Sequence, residues 1–335
     1  MKVLVVSFYG EWGMGAYVKD ALIELGHSPG LFYTNASASA GERILNRAKY
    51  LSLFSKSAHR LWEEKVNRRL IKSVSEFSPE LIFVIKGEEL LPQVLQEIKE
   101  RQRIPLLVWL PDNPFYSKIQ NIIRSLPLYD YVFSFDPGLI SRIKEFCKAR
   151  VEFMPLACNP RIHKKMDLSP KEQKDYHSDA CFVGTASPER SKILGQIGGY
   201  DLGIWGRGWE KEGPLLKRHF KGFASGEKMV KVFNASKVAL NIHHPQTVDG
   251  VNLRTFEICA SGAFQLVDER SALSRLFKVG QELVCFRDTG DLKNLIDYFL
   301  KNEKERQEVA QRGYERANSE HTYEKRLKEI FRIIS

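Results

Sequence analysis

The sequence of 335 residues contains no run of about 18 apolar residues, which is the length that a helix needs to cross a bilayer. Its five cysteines stand singly and form no CxxC pair, so neither a zinc site nor a disulfide framework is indicated. The first residues, MKVLVVSFYGEWG, lack the long apolar stretch and cleavage site of a signal peptide. We therefore expect a cytoplasmic protein with reduced thiols.

Charge is not concentrated in one part of the chain. Lysine and arginine together number 51 against 41 aspartates and glutamates, and the net charge of +10 is spread over both halves. A positive excess favours anionic ligands or anionic membrane surfaces. Because no recognised nucleic-acid module or RNP-like aromatic pattern accompanies this charge, nucleic acid is not expected as a partner.

Residues 42–76 contain neither proline nor glycine and predict one or two long helices. Basic residues are interleaved there with Tyr50, Phe54 and Trp62. The stretch is either a basic, aromatic face for an acceptor or for weak contact with an anionic membrane surface, or a solvated helix face above an ordinary core stripe. The second interpretation needs no ligand and is favoured.

Apolar runs alternate with helical stretches through both halves of the chain, which predicts an α/β protein with two tandem, Rossmann-like, doubly wound parallel sheets and a cleft between them. A polar segment with two prolines and no apolar period, residues 159–178, separates the halves. The expected domains are 1–158 and 179–320. A last helix, 321–335, is expected to pack back on the N-terminal domain.

The first strand is followed by a glycine-rich turn with Gly10, Gly13 and Gly15. Its spacing is GxxGxG rather than GxGxxG, and no acidic residue follows a clear second strand, so a nicotinamide site is not favoured. Ligands of doubly wound sheets lie at the carboxyl ends of the strands. The turn 10–15 and the loops 86–87 and 112–113 are therefore expected to share one rim.

The most informative stretch runs from Asn241 to Asp268, NIHHPQTVDGVNLRTFEICASGAFQLVD. It predicts a strand, a polar loop, a helix over 252–261 and a second strand, with Gly262 in the left-handed position that follows a helix. A helix N-terminus at the carboxyl end of a parallel sheet binds anions, phosphates especially.

Two carboxylates in this stretch, Asp249 and Glu257, are eight residues apart. At about 1.5 Å per residue they span about 12 Å, roughly the distance from sugar to ribose across a pyrophosphate. Helical spacing buries Leu253, Phe256 and Ala260 and leaves Asn252, Arg254 and Glu257 for other work. The alternative is that Asp249 or Asn252 is an ordinary N-cap and Glu257 a solvated residue.

Several segments carry a resemblance to a known family: DGVNLRTFEICASGAFQL, FVGTASPER, GIWGRGW, VWLPDNP and YDYVFSFD. Together they resemble GT-B glycosyltransferases, most closely the CgeB-like (spore-maturation type) group, and are more distantly similar to the family 4 retaining enzymes. Asp249 and Glu257 match the acidic-x7-acidic pattern of the wider family, with Asp in place of the usual first Glu. That replacement shortens one arm of the pattern.

The resemblance implies a role for each matching residue on the donor side. Glu257 binds the ribose, Asp249 contacts the sugar as a catalytic residue, and the amides of Val251, Asn252 and Leu253 bind the pyrophosphate, helped by Arg254 or Arg190. Four further residues line the nucleotide site at strand ends: Gly184, Thr185, Gly206 and Trp209. The alternative for Trp209 is a place in the core. His243 is also assigned to the donor. Helix and cations replace a metal, so none is expected.

The resemblance likewise implies a hexosyltransferase-type enzyme with no cofactor, which moves a sugar from a UDP-, GDP-, ADP- or dTDP-sugar to an acceptor glycan, protein or lipid with retention. The 1–158 domain then lies on the acceptor side and the 179–320 domain binds the nucleotide-sugar. Asp112 is the candidate base or orienting carboxylate, or else starts an Asx turn. The loop with Gly10, Trp12 and Gly13 faces the acceptor. Two alternatives are an inactive GT-B scaffold and a Rossmann-type NAD-dependent oxidoreductase.

Overall fold

The protein is seen in a computed structural model that describes residues 1–10, 13–37, 42–44, 55–116 and 120–335. The chain divides into two compact units, one made of Met1–Met154 with Leu327–Ser335 and the other of Pro155–Arg326. Each unit contains one six-stranded sheet in which every pairing is parallel. The predicted fold class, two tandem doubly wound parallel sheets, is confirmed.

The sheet of the first unit has the order β2-β1-β3-β4-β5-β6. Its strands are β1 Lys2–Ser7, β2 Ser28–Tyr33, β3 Leu81–Ile85, β4 Leu106–Leu110, β5 Tyr131–Ser134 and β6 Arg150–Phe153. The described helices of this part are α1 Met14–Glu24, α2 Ser55–Phe77, α3 Pro92–Gln102, α4 Asn121–Ser125 and α5 Ile140–Lys144. Every residue of β3 and β4 is buried, because helices cover both faces of a parallel sheet.

The sheet of the second unit has the order β12-β11-β10-β7-β8-β9. Its strands are β7 Ala180–Val183, β8 Leu202–Trp205, β9 Phe220–Gly222, β10 Val238–Asn241, β11 Gln265–Asp268 and β12 Val284–Phe286. The strand order reverses between β7 and β10, which are neighbours in the sheet. Ligands of such sheets bind beyond the carboxyl ends of the strands at this switch point.

The helices continue in chain order through the second unit. They are α6 Pro170–Tyr176, α7 Pro188–Gln196, α8 Pro214–Lys217, α9 Gly226–Ala235, α10 Leu253–Ala260, α11 Leu273–Leu276, α12 Thr289–Lys301, α13 Glu303–Glu320 and α14 Tyr323–Ile334. The last turns of α14 belong to the first unit, where Phe331 packs on His27 at a ring distance of 4.5 Å. There the Arg150 side chain donates to the carbonyl oxygen of Ile333. The domain boundaries drawn from the sequence stay a prediction.

Two strands, β2 and β9, and four short helices, α4, α6, α8 and α11, were not expected from the sequence. β2 and β9 lie at sheet edges, where Pro29, Gly30 and Gly222 are tolerated although they weaken the strand pattern. α6 lies in the segment that was expected to be an irregular connector. Its start is a capping box, in which Ser169 and Glu172 bond each other's backbone N–H groups. The sequence S-x-x-E was the signal that could have found it.

The stretch 42–76 includes most of α2. Trp62 is completely buried and starts a stripe at four-residue spacing that continues with Val66, Leu70 and Val74. The basic side chains of Arg60, Lys65, Arg68 and Lys72 are exposed. Tyr50 and Phe54 lie outside the described residues. In the part of the chain that the structure describes, no helix is long and apolar enough to cross a membrane.

Candidate functional site

The helix α10 begins and ends as its sequence predicts. Asn252 is the N-cap, and its Oδ1 accepts a hydrogen bond from the Thr255 N–H at 3.1 Å. Gly262 has φ +72, and two carbonyls of the last turn accept the N–H groups of Gly262 and Ala263. This is a Schellman motif, as expected for glycine at that position. The N–H groups of the first turn are left facing outward at the switch point.

The Asn252 side chain is not available for a ligand, because Asn252 is the N-cap that the alternative interpretation predicted. Besides capping α10, its Nδ2 donates to Asn241 Oδ1 at 2.8 Å. Asn241 Nδ2 in turn lies within 3.1 Å of three oxygens, on Asn252, Thr255 and Gln265. This buried network fixes the start of α10 against β10 and β11. Asn252 can therefore meet an anion only through its backbone.

Glu257 is buried, with 5% of its surface exposed, so the interpretation as a solvated residue is wrong. His163, from the segment 159–178, lies against the Glu257 carboxylate, and the paired Arg254 side chain lies beside it, so the face that periodicity assigned to solvent is covered. Leu253, which was expected in the core, is only half-buried. Glu257 forms an ion pair with Arg254, and its Oε1 lies 3.5 Å from His163 Nε2.

Arg254 reaches from α10 to the end of β7. Its Nε donates to the carbonyl oxygen of Val183 at 3.1 Å, and its Nη1 contacts both Glu257 and the sulfur of Met229. The guanidinium lies 5.7 Å from the ring of Phe233. Arg254 is thus fixed by one backbone bond, while its terminal nitrogens are held by side chains that a stronger anion can replace.

Arg190 holds the ends of β7 and β10 together. Its Nε and Nη2 donate to the carbonyl oxygen of Ile242 at 3.0 and 2.8 Å, and its Nη1 donates to that of Thr185 at 2.9 Å. A guanidinium has five N–H donors, so these three bonds leave two for a ligand. Burial, and then the charge of Arg254, lower the pKa of Arg190 to about 10, and the group stays cationic at pH 7.

The two arginines and the start of α10 therefore converge on the switch point of the second sheet. The two positive charges repel each other, and an anion bound between them would relieve that repulsion. A phosphate or diphosphate fits this arrangement best. One guanidinium can donate two parallel hydrogen bonds to two phosphate oxygens, and the helix N-terminus adds backbone donors.

The loops after β7 and β8 touch through their backbones. Gly206 has φ +139, and a Cβ there would lie 2.0 Å from the carbonyl oxygen of Gly184. Trp209 is completely buried, and its indole N–H donates to that same carbonyl at 2.7 Å. In this structure the Trp209 side chain is part of the core and offers no surface to a nucleobase, which corrects the expectation. Gly184 and Gly206 fix the loops at the site's edge.

His243 follows β10 directly and pairs with Asp268 at the end of β11. Its Nδ1 and backbone nitrogen lie 2.6 and 2.8 Å from Asp268 Oδ1, and Arg270 bonds the other oxygen. Burial raises the pKa of Asp268, but the bond and charge of His243 and the charge of Arg270 outweigh it and hold that pKa below its usual range. Among the described residues, His243 Nε2 has no hydrogen-bond partner. Sequence reasoning named His243 but missed Asp268.

Asp249 is half-buried in the loop before α10. Its carbonyl oxygen accepts a hydrogen bond from the Ala272 N–H at 3.0 Å, which ties the loop to the residues after β11. Val251 is fully buried two residues later and anchors the loop to the core. The sequence thus places an acidic residue in a loop that is held from both sides.

In the first unit, Asp112 forms an ion pair with Lys86 at 3.0 Å, and Glu88 lies 3.2 Å from the same ammonium. Burial lowers the pKa of Lys86, but these carboxylates outweigh it and raise that pKa above its usual value. The Asx turn in this loop is made by Asn113, whose Oδ1 accepts the Phe115 N–H at 3.0 Å, and not by Asp112.

A cavity of about 260 Å³ lies beside Lys86 at the carboxyl ends of β1, β2 and β3. In the neighbouring glycine-rich turn, the Gly13 N–H donates to the Gly10 carbonyl at 3.0 Å, and Gly13 caps α1. Trp12 lies outside the described residues. Over the described parts of the chain, no group of three or more His, Cys, Asp and Glu side chains could hold a metal ion.

Comparison with known proteins finds a matching family model and a related protein. Residues 190–332 match a family model described as glycosyl transferase-like. The spore protein CgeB of Bacillus subtilis (strain 168) is 23% identical over 294 residues, which are 81% of this chain and 89% of that protein.

Two solved structures share the fold. Sucrose-phosphate synthase (tll1590) from Thermosynechococcus elongatus has a TM-score of 0.71 at 13% identity and covers 99% of this chain and 98% of its own. Anabaena Alr3699/HepE, solved in complex with UDP and glucose, has a TM-score of 0.66 at 13% identity and covers 100% and 99%.

The family model begins at Arg190 and includes the whole of α10, so the residues that form the arginine pair lie inside the matched region. The predicted resemblance to the CgeB-like group is confirmed. From its fold, its matched region and its relatives, the chain is a glycosyltransferase of the GT-B fold, similar to spore protein CgeB.

Proposed function

We propose that this enzyme transfers a sugar from a nucleotide-diphosphate-sugar to an acceptor glycan, protein or lipid, with retention and without a metal. The observation that carries the proposal is the pair Arg190 and Arg254 beside the N-terminus of α10. Arg190 is fixed by the carbonyl of Ile242, 52 residues later in the chain, and Arg254 by that of Val183, 71 residues earlier. Because HepE was solved with UDP and with UDP-glucose, a UDP-sugar is the first donor to test.

In the proposed reaction, the bond between the sugar and the terminal phosphate oxygen breaks and a bond to an acceptor oxygen forms. The departing diphosphate gains negative charge, which preorganised donors stabilise most effectively in a site with little water. Arg190, Arg254 and the amides of Val251–Leu253 would supply those donors. Asp249 would contact the sugar, and Asp112 would receive or orient the acceptor proton.

Glu257 has a more specific part in this proposal. With no ligand its carboxylate is occupied by Arg254. A diphosphate carries more charge than a carboxylate, so we expect Arg254 to turn towards it and leave one oxygen of Glu257 for the ribose hydroxyls. Glu257 would then read the ribose, while the arginines hold the phosphates.

Titration of the protein with UDP, GDP, ADP and dTDP tests the donor class. We expect at least one of them to bind with a Kd well below about 1 mM, and Glu257→Gln to weaken that binding about tenfold, because a charged acceptor of ribose hydrogen bonds is lost. Glu303→Gln, at an exposed carboxylate on α13, is the control and should bind like the wild type. If no nucleotide binds better than millimolar and Glu257→Gln has no effect, the proposal is wrong.

Asp112→Asn tests the acceptor side separately. The substitution removes the charge of Asp112 but nearly keeps its shape, so nucleotide binding should stay unchanged in the titration. Release of free sugar from the donor, with water as acceptor, should slow more than about tenfold, because the proton loses its carboxylate. Glu88→Gln removes the other partner of Lys86 and is the matched control. An Asp112→Asn variant with the wild-type rate would exclude this role.

A further inference from the structure

His163 is the residue of the second unit that sequence analysis overlooked. It lies in the segment 159–178, which was expected to be only a connector, yet its side chain is completely buried against Glu257. Asn159 forms the turn that places it: the Asn159 carbonyl accepts the His163 N–H at 2.8 Å, and Asn159 Oδ1 accepts the Arg161 N–H at 3.0 Å. The dipeptide Asn-Pro at 159–160 was the signal for this turn.

The hydrogen bonds of the ring define where its proton is. The Asn159 N–H donates to His163 Nδ1 at 3.0 Å, so Nδ1 is the acceptor and the neutral ring carries its proton on Nε2. That Nε2 is the atom 3.5 Å from Glu257 Oε1, which is the distance of an electrostatic contact rather than of a formed hydrogen bond. Burial lowers the pKa of His163, the Arg254 charge lowers it further, and Glu257 only partly opposes them, so the ring is a neutral donor at pH 7.

The two oxygens of Glu257 thus face two different donors. Arg254 contacts Oε2 and has a side chain that is 24% exposed, whereas His163 faces Oε1 and is fixed by bonds to the backbone of Asn159. If Arg254 turns to a diphosphate, Glu257 loses its cationic partner. A buried carboxylate without a hydrogen-bond donor would destabilise the ligand-bound state or take up a proton. Something else has to hold it in place while the ligand is bound.

We propose that His163 is a positioning residue for donor binding: its Nε2–H holds Oε1 of Glu257, so that Oε2 faces the ribose hydroxyls once Arg254 has turned to the diphosphate. This inference rests on the proposed function. It assigns to the segment before the second sheet a part in recognising the nucleoside of the donor, although His163 itself need not touch the ligand.

Two substitutions of His163 test the roles of its two ring nitrogens separately. His163→Asn places an acceptor near the position of Nδ1 for the Asn159 N–H and removes the donor towards Glu257. His163→Gln keeps an N–H donor near the position of Nε2. Both are titrated with UDP, which has a ribose, and with inorganic pyrophosphate, which has none. A melting curve of each variant reports whether it is folded.

We expect His163→Asn to bind UDP about tenfold more weakly and pyrophosphate within about twofold of the wild type, because only the ribose contact depends on Glu257. His163→Gln should recover most of the UDP affinity. In a Glu257→Gln background, His163→Asn should weaken UDP binding no further, since both changes remove one coupled contact.

Three results would overturn the inference while the proposed function stands. They are wild-type UDP affinity in folded His163→Asn, an equal loss for UDP and pyrophosphate, and additive effects with Glu257→Gln. If His163→Asn does not fold, His163→Gln is the test. A loss of UDP affinity alone, as large as that of Glu257→Gln, would contradict the inference about His163. Retained UDP affinity would support it. A wild-type protein that binds neither pyrophosphate nor any of UDP, GDP, ADP and dTDP would overturn both proposals. If one of the other nucleotides binds more tightly than UDP, it takes the place of UDP in these titrations.

Discussion

Replacing Arg254 with methionine should lower the free energy of unfolding by about 2–3 kcal/mol and the affinity for a nucleoside diphosphate by at least about 100-fold. The stability is lost because the Glu257 carboxylate, 6% exposed, would stay buried without its cationic partner. Because Arg254 is partly exposed, we expect less than the loss for a fully buried pair. The affinity falls because two charge-assisted bonds to phosphate oxygens disappear. Urea denaturation and titration with UDP measure the two effects.

The double variant Arg254→Met with Glu257→Gln separates these two contributions. Without the charge on Glu257, methionine no longer leaves a buried ion unpaired, so most of the stability should return while UDP binding stays weak. Arg287→Met is the control for removing an arginine from an exposed ion pair on the same unit, and should leave the free energy of unfolding nearly unchanged. Wild-type binding by Arg254→Met would exclude Arg254 from the phosphate site.

The parts of the site that the sequence predicted are those set by local backbone chemistry. The left-handed glycine after α10, the loop before it and the strand on each side follow from nearby residues alone, so Gly262 and the bounds of α10 were found correctly. The switch point also follows, because strands that alternate with helices leave few topologies. Arg190, in the first turn of the helix that follows β7, was named through the family resemblance.

The parts that the sequence missed depend on contacts between distant segments. The alternative that placed Glu257 in solvent is wrong because helical periodicity shows only the pattern within one helix, whereas His163 from the segment 159–178 lies against the Glu257 carboxylate. Trp209 follows a strand end, where an aromatic residue could stack on a nucleobase. In the folded chain it packs against Phe182 and donates to the Gly184 carbonyl, so it lies in the core. His163 belongs to a segment without periodicity, and Glu257 is 94 residues further along the chain.

A common principle connects these misses. Partners on other strands fix the two arginines and His243: the carbonyls of Val183 and Ile242 for the arginines, and Asp268 for His243. The ring of His163 is fixed within its own segment by the Asn159 N–H. Such preorganisation means that little side-chain freedom is lost when an anion binds. A polar residue at a strand end therefore suggests a site, but the carbonyl that orients it can be found only in the folded chain.

A buried histidine away from the arginine pair should make the second unit sensitive to acid. His321 is 4% exposed, its Nε2–H donates to the Leu276 carbonyl at 2.8 Å, and its Nδ1 accepts from Arg326 Nη2 at 2.7 Å. Both nitrogens are thus used by the neutral ring, and Phe256 and Phe277 pack on it. Burial and then the charges of Arg326 and Arg316 lower the pKa of His321 to about 3, although its bond to Leu276 opposes them.

Since the folded pKa lies below the unfolded value of 6.5, the unfolded chain binds the extra proton as the pH falls from 6.5 towards 3, and His321 lowers stability over that window. Between pH 7 and pH 5 the loss should be about 2 kcal/mol. His321→Gln keeps an N–H donor for the Leu276 carbonyl but has no proton to gain. Its deficit against the wild type in urea denaturation should therefore shrink by about 2 kcal/mol from pH 7 to pH 5 and stay constant above pH 7.5. If the deficit is the same at pH 5 and pH 7, burial does not lower the pKa of His321 in the folded protein.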